Sequence, residues 1–258
     1  MKKFRLKEFI IFCVVSLATI SFSFTQQIST NTITQELDIK LRSLVEQLKN
    51  HPDYSRRAQA ATELEYLGDR RAIPYLIEAR NDSHSFVRYC VLQALKGLAG
   101  KNAIPYLKEA FQNEQDDDQR YTYAIWLVGL GDYSTKKFII KMARKNLHHE
   151  DQKTRILAAL DLAFVKDKSG VNILLSEGLF YNIDDTSSVE PGGMIKCGTG
   201  CILDARIRQK TAEMLGELFA GTNNKKVISA LKKALEKEAG EGNNKIAIEN
   251  AIKKIEGR

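Results

Sequence analysis

Apolar positions recur along this chain in a fixed frame. An aliphatic residue follows each of five arginines at the same distance: Arg57 to Leu67, Arg88 to Leu98, Arg120 to Leu130, Arg155 to Val165 and Arg208 to Leu218. The third residue before the aliphatic is always leucine (Leu64, Leu95, Leu127, Leu162, Leu215), and the sixth is Ala61, Leu92, Ala124, Ala159 or Ala212. That spacing lines one stripe of a helix. A turn follows, Leu-Gly-Asp at 67–69 and 130–132, and then a second apolar run, Ala-Ile-Pro-Tyr-Leu at 72–76 and again at 103–107. Glycine just past the first helix supplies a left-handed ending, and a proline early in the second sits where a missing N–H costs nothing. The pattern predicts a repeated helix, tight turn, helix.

The arginine frames lie 31, 32, 35 and 53 residues apart. Three steps fit a compact helical hairpin, and the fourth carries an extra stretch of about twenty residues, a length that in compact arrays is functional or unstructured. Leu37, Leu41, Leu44 and Leu48 predict a capping helix over 34–50, and residues 245–257 repeat the first-helix phasing with Ile252 and Ile255, closing the array as a half repeat. The expected fold is all-α: a right-handed α-solenoid of about five helical hairpins with a capping helix at each end, each hairpin burying its apolar face on its neighbours.

Before the repeats, Lys2, Lys3, Arg5 and Lys7 precede an uncharged run from Phe9 to Phe24 and a polar linker over 24–33. This is the layout of a signal peptide over 1–23, cut after Ser23, or of an uncleaved N-terminal membrane anchor. Either reading exports the repeat domain, residues 34–258, to the periplasm or cell envelope. Cleavage removes four basic residues and Glu8, taking the formal charge from +7 to +4. So modest a charge on an exported chain argues against a nucleic-acid partner. Glu114 with Asp116, Asp117 and Asp118 form one acidic turn, whereas Lys225, Lys226, Lys232, Lys233 and Lys237 make the last third basic; runs of this kind are ordinarily solvated helix faces.

Phe86-Val87-Arg88, the alanine-leucine first helices, the two Leu-Gly-Asp turns and the two Ala-Ile-Pro-Tyr-Leu runs resemble HEAT repeats of the phycobilisome-lyase-like type, over residues 51–258 apart from the insertion. The patterns of tetratricopeptide and ankyrin repeats, whose unit lengths are similar, do not occur. The resemblance implies paired helices offering a surface to other proteins. The chain departs from it at Lys166 and at Phe219-Ala220, where the Gly-Asp turn is missing and less regular turns are expected.

Several residues are candidates for chemistry. The arginines are expected to hydrogen-bond between repeats to turn aspartates such as Asp69, Asp132 and Asp167. Tyr75, Tyr106 and Phe138 share one phase of the second helices, which in HEAT-like solenoids line the concave side; they are candidate anchors for a protein partner, or covers for the seam between hairpins. The insertion at 182–203 holds the acidic pair Asp184 and Asp185, Pro191-Gly192-Gly193, and Cys197 and Cys201, which suit a disulfide in an oxidising compartment better than free thiols or a metal site. Cys90 is left over as an unpaired thiol. His148, His149, Glu150 and Asp151 read as capping material, and the histidines His51, His84, His148 and His149 show no ligand spacing within one helix.

No catalytic residue, cofactor or metal ligand is assigned from the sequence. The expected function is an exported, non-catalytic and monomeric scaffold that binds a protein partner through the concave face, the insertion, or both. HEAT-like enzymes of the bilin lyase class are the alternative. A di-iron hydroxylase of this architecture needs several His-Glu pairs, where this chain has only His149-Glu150. A nucleic-acid-binding solenoid, as in HEAT-like DNA glycosylases, ranks last.

Overall fold

The computed structural model describes residues 35–181, 206–238 and 242–258, and they are all-α, with no strand among them. They divide into two compact units, one ending at Ala99 and the other beginning at Gly100. The sequence alone suggests one continuous array; the division falls inside its second predicted hairpin.

The first unit contains α1 (35–50), α2 (Tyr54–Leu67), α3 (Ile73–Ala79) and α4 (Ser85–Ala99). Leu41, Leu44 and Leu48 of α1 are buried as their spacing requires, but Leu37, in the same phase at the start of the helix, is 42% exposed. Helices α2 and α4 pack side by side, first helix on first helix, with Ala61, Leu64, Leu92 and Leu95 fully interior.

The second unit contains α5 (Ile104–Asn113), α6 (Asp117–Gly129), α7 (Lys136–Asn146), α8 (Gln152–Phe164), α9 (Val171–Ser176), α10 (Ile207–Leu218), α11 (Lys225–Lys237) and α12 (Asn243–Glu256). Ala124, Leu127, Ala159, Leu162, Ala212 and Leu215 are all buried. Every position of the two inner phases therefore faces a core. Helix α12 lies against α10 as a first helix would, with Ile252 and Ile255 inward. The closeness of first helices depends on small residues. A Cβ on Gly216 of α10 would stand 3.0 Å from the Ala251 backbone, and one on Gly170, ahead of α9, 2.7 Å from that of Ala159.

The turns between paired helices share one construction. Gly68 (φ 70°) and Gly131 (φ 92°) adopt the left-handed conformation. At the second of these the Asp132 N–H reaches back to the Leu127 carbonyl at 2.8 Å, closing the helix in a Schellman arrangement. The aspartate that follows caps the next turn: Asp69, Asp132 and Asp167 accept from the N–H two residues on, at 2.9, 3.0 and 2.9 Å. The expected loss of this turn at Lys166 does not occur. Lys166 itself takes the left-handed conformation (φ 59°), and Asp167 N–H bonds to the Leu162 carbonyl at 2.8 Å. The geometry persists because the backbone bonds and the aspartate cap specify it, and the lysine bears the strain. At Phe219-Ala220 the turn is longer. Gly221 (φ 67°) supplies the left-handed residue two places later, and Asn224 caps α11.

Candidate functional site

The arginine ladder is a clamp, with partners other than those expected. Arg57 forms a fork-to-fork pair with Asp82, Nε to Oδ2 at 2.7 Å and Nη2 to Oδ1 at 2.9 Å, and its Nη1 donates to the carbonyls of His51 and Pro52 at 2.9 and 3.0 Å. Arg155 repeats this with Glu177 and the carbonyls of His149 and Glu150, both at 2.8 Å. Arg88 holds the equivalent carbonyls of Asp82 and Ser83, and Arg208 pairs with Glu238 at 3.3 Å. Arg57, Arg88 and Arg155 thus fasten the loop before their own helices; Arg57, Arg155 and Arg208 reach an acid at the far end of the hairpin. Asp69, Asp132 and Asp167 belong to other cations: Arg71, Lys108 and Arg144. Lys108 and the Ser134 hydroxyl hold the Asp132 carboxyl down to about 2.

Arg120 is the variant step. Its guanidinium lies over Phe138 at 4.9 Å and Phe111 at 5.2 Å, and those two rings meet edge to face at 5.2 Å. The aromatic ladder is therefore partly tied to the arginine ladder. Phe138 is half-buried in this cage, Tyr75 lies half-buried under the Lys49 ammonium at 5.0 Å, and Tyr106 is half-buried too. Larger free surface belongs to rings that sequence reasoning missed: Tyr66, 85% exposed, and Tyr133, 61% exposed, at the turns, and Tyr54 and Phe86 at helix starts. Tyr54 stacks on His84 with centroids 3.6 Å apart.

Three of the four histidines are structural. His51, His84 and His149 each accept through Nδ1 from the N–H two residues on, at 3.1, 3.3 and 3.0 Å. That leaves the hydrogen on Nε2 and makes them loop caps. Among the described residues, no group of histidine, cysteine, aspartate and glutamate side chains could hold a metal ion. Cys90 is buried with no disulfide partner; burial raises its thiol pKa, opposed by a hydrogen bond with Thr62. Asp184, Asp185, Cys197 and Cys201 lie outside the described residues.

One polar feature was not foreseen, and a second only in part. Asp161, within the otherwise apolar run of α8, is buried and accepts from the Tyr121 hydroxyl at 2.8 Å, joining α8 to α6. A lone carboxylate in Ile-Leu-Ala-Ala-Leu-Asp-Leu-Ala-Phe is its sequence signal. The second feature is charge. Helix α7 carries five cations and no acid, and α11 five cations and one acid, while the first helices α6, α8 and α10 are close to balanced. These second helices are joined through α9: Arg144 of α7 bonds Asp167 and Ser169 ahead of it, and Lys226 of α11 reaches Asn172 of α9 at 3.4 Å. A shallow cavity of about 620 Å³ on α11 is lined by Lys225, Ile228, Ser229, Lys232, Lys233 and Glu236, with Asn223 and Glu256 at its end. A smaller one of about 310 Å³, between α10 and α12, includes Glu213, Asn250 and Lys254.

Stacked first helices, recurring aspartate-capped turns and an arginine at one position of each first helix define a helical-repeat protein. Residues 41–127 match a family model described as HEAT repeats. Among solved structures, the complex of CpcE and CpcF of phycocyanin lyase from Nostoc sp. PCC7120 is similar at 20% sequence identity, over 83% of this chain and 82% of that chain, with a TM-score of 0.39. Comparison with curated proteins gives no match.

Proposed function

We propose that the protein is an exported, non-catalytic scaffold that holds a protein partner through its second-helix face, the segment 182–203, or both. One observation carries the reading. The arginines, aspartates and histidines that could look catalytic are engaged in fastening loops and capping helices, while the lysines of α7 and α11 stand without ion pairs among the described residues. A repeat that commits its reactive groups internally and leaves broad faces free suits binding. Export rests on the basic start and uncharged run of residues 1–24; no helix among the described residues is long and apolar enough to cross a membrane.

The test is affinity capture from the native cell envelope, with the full mature chain beside a form lacking residues 183–203. A protein lost with the deletion assigns recognition to that segment, and one retained by both assigns it to the helical faces. Recovery of no protein by either form, or fractionation of the chain to the cytoplasm, overturns the reading.

A further inference from the structure

We propose that the face formed by α7, α9 and α11 is a docking surface for an acidic protein segment bearing an aliphatic anchor. The proposal rests on the scaffold reading and names its partner's chemistry. On α7, Lys137, Lys141 and Lys145 follow one another at four-residue spacing and are all exposed, giving a cationic stripe about 12 Å long at 1.5 Å per residue. On α11, Lys225, Lys232 and Lys233 are exposed and line the same cavity. None of these six makes an ion pair among the described residues, although neighbouring cations do: Arg144 is held by Asp167 at 2.9 Å, and Arg155 by Glu177 at 2.8 Å. Like charges four residues apart on one helix weaken it. The arrangement therefore works against the free protein and is relieved by an anionic partner.

The surroundings select the class of partner. Single-stranded nucleic acid is held by aromatic platforms on which bases stack, and the one aromatic of α7, α9 and α11 is Phe138, already caged by Arg120 and Phe111. A lipid surface takes up amphipathic helices through their apolar side, and that side of α11, with Val227, Leu231 and Ala234, is packed into the core. Ile228, a core residue 8% exposed, is the one apolar side chain lining the cavity beside the lysines, so the occupant combines carboxylates with an aliphatic side chain that meets this edge. Glu236 and Glu256 border the same cavity and repel acids placed against them, so the occupant's carboxylates are matched to Lys225, Lys232 and Lys233.

The probe is a fluorescent peptide of mixed glutamate and leucine, titrated by anisotropy into the mature protein. Competitors are a leucine-free polyglutamate, a DNA duplex and phosphatidylserine vesicles. The glutamate-leucine peptide is expected to bind most tightly, to weaken as salt rises, and to lose at least tenfold in affinity to the variant Lys225→Glu/Lys232→Glu/Lys233→Glu. Circular dichroism checks that this variant keeps its helicity, and Lys137→Glu/Lys141→Glu supplies a second disruption on α7. Equal binding by wild type and both variants, or tighter binding of duplex or vesicles than of peptide, overturns the proposal. A photocrosslinker replacing the exposed Ser229 in cells separates the two readings. Capture of a protein from Tyr133 but not from Ser229 refutes this face and leaves the scaffold standing, whereas crosslinks to protein from neither refute both.

Discussion

Arg57 and Asp82 show what the chain asks of single residues. Their side chains are 13% and 12% exposed, and one guanidinium satisfies a carboxylate and two loop carbonyls together. Lysine keeps the charge and loses the fork. Arg57→Lys is therefore expected to cost about 1–3 kcal/mol, the scale of a partly buried charge-assisted bond left unmade, read from urea unfolding; an unchanged midpoint would show the clamp to be ornamental. Lys166 is the opposite case. A non-glycine residue in the left-handed conformation is strained by about 1–2 kcal/mol, and glycine relieves it while giving back some unfolded-chain entropy. Lys166→Gly is expected to stabilise by about 0.5–1 kcal/mol on those terms, and loss of stability would mean that its aliphatic stem matters more than its φ. At this scale the sequence exposed the arginines but hid their partners. The acids lie 22 to 30 residues further on and change from Asp82 to Glu177 to Glu238, and at Arg120 a pair of rings lies against the guanidinium while the acid it meets, Asp117, is on its own helix.

Among the elements, the first helices were legible because both inner phases of each are committed to a core, and a side chain that must be apolar at every repeat leaves a periodic trace. Leu127 is fully buried in that phase. Leu127→Ala is expected to cost about 2–5 kcal/mol from lost burial and the cavity left behind; a melting curve that does not move would show the register to be wrong. Second helices were less legible, since α9 runs only from Val171 to Ser176 before a 3-10 turn at Gly178–Phe180, too short for a period to emerge. The charge of α7 was overlooked for a related reason. The lysines of α11 stand out as a run, but those of α7 are separated by core residues and acquire meaning once α9 links the two helices. Likewise, Tyr75, Tyr106 and Phe138 do share a phase, yet phase alone does not reveal that Lys49 and Arg120 cover two of them.

Across the whole molecule, the caps and clamps set a common acid limit. Hydrogen bonds with Ser55, Arg71, Arg57 and Thr154, respectively, lower the carboxyls of Asp53, Asp69, Asp82 and Asp151. Asp167 is lowered despite burial, by Ser169 and Arg144, and Asp132 reaches about 2. A carboxyl whose folded pKa lies below its unfolded value binds protons more readily when the chain unfolds, so its contribution is complete above the ordinary aspartate range and disappears as pH falls through the folded value. Here that window runs from about pH 4 down to about pH 2. Since these carboxyls occur in both compact units, the two are expected to lose helicity over the same range, with thermal midpoints flat from pH 7 to 5 and falling steadily below pH 4. Asp132→Asn cannot be protonated there and should shallow the fall while lowering the neutral-pH midpoint. Midpoints that hold constant down to pH 2.5, or a variant whose acid profile parallels the wild type, would show that apolar burial alone sustains the repeats and that the aspartates merely decorate their turns.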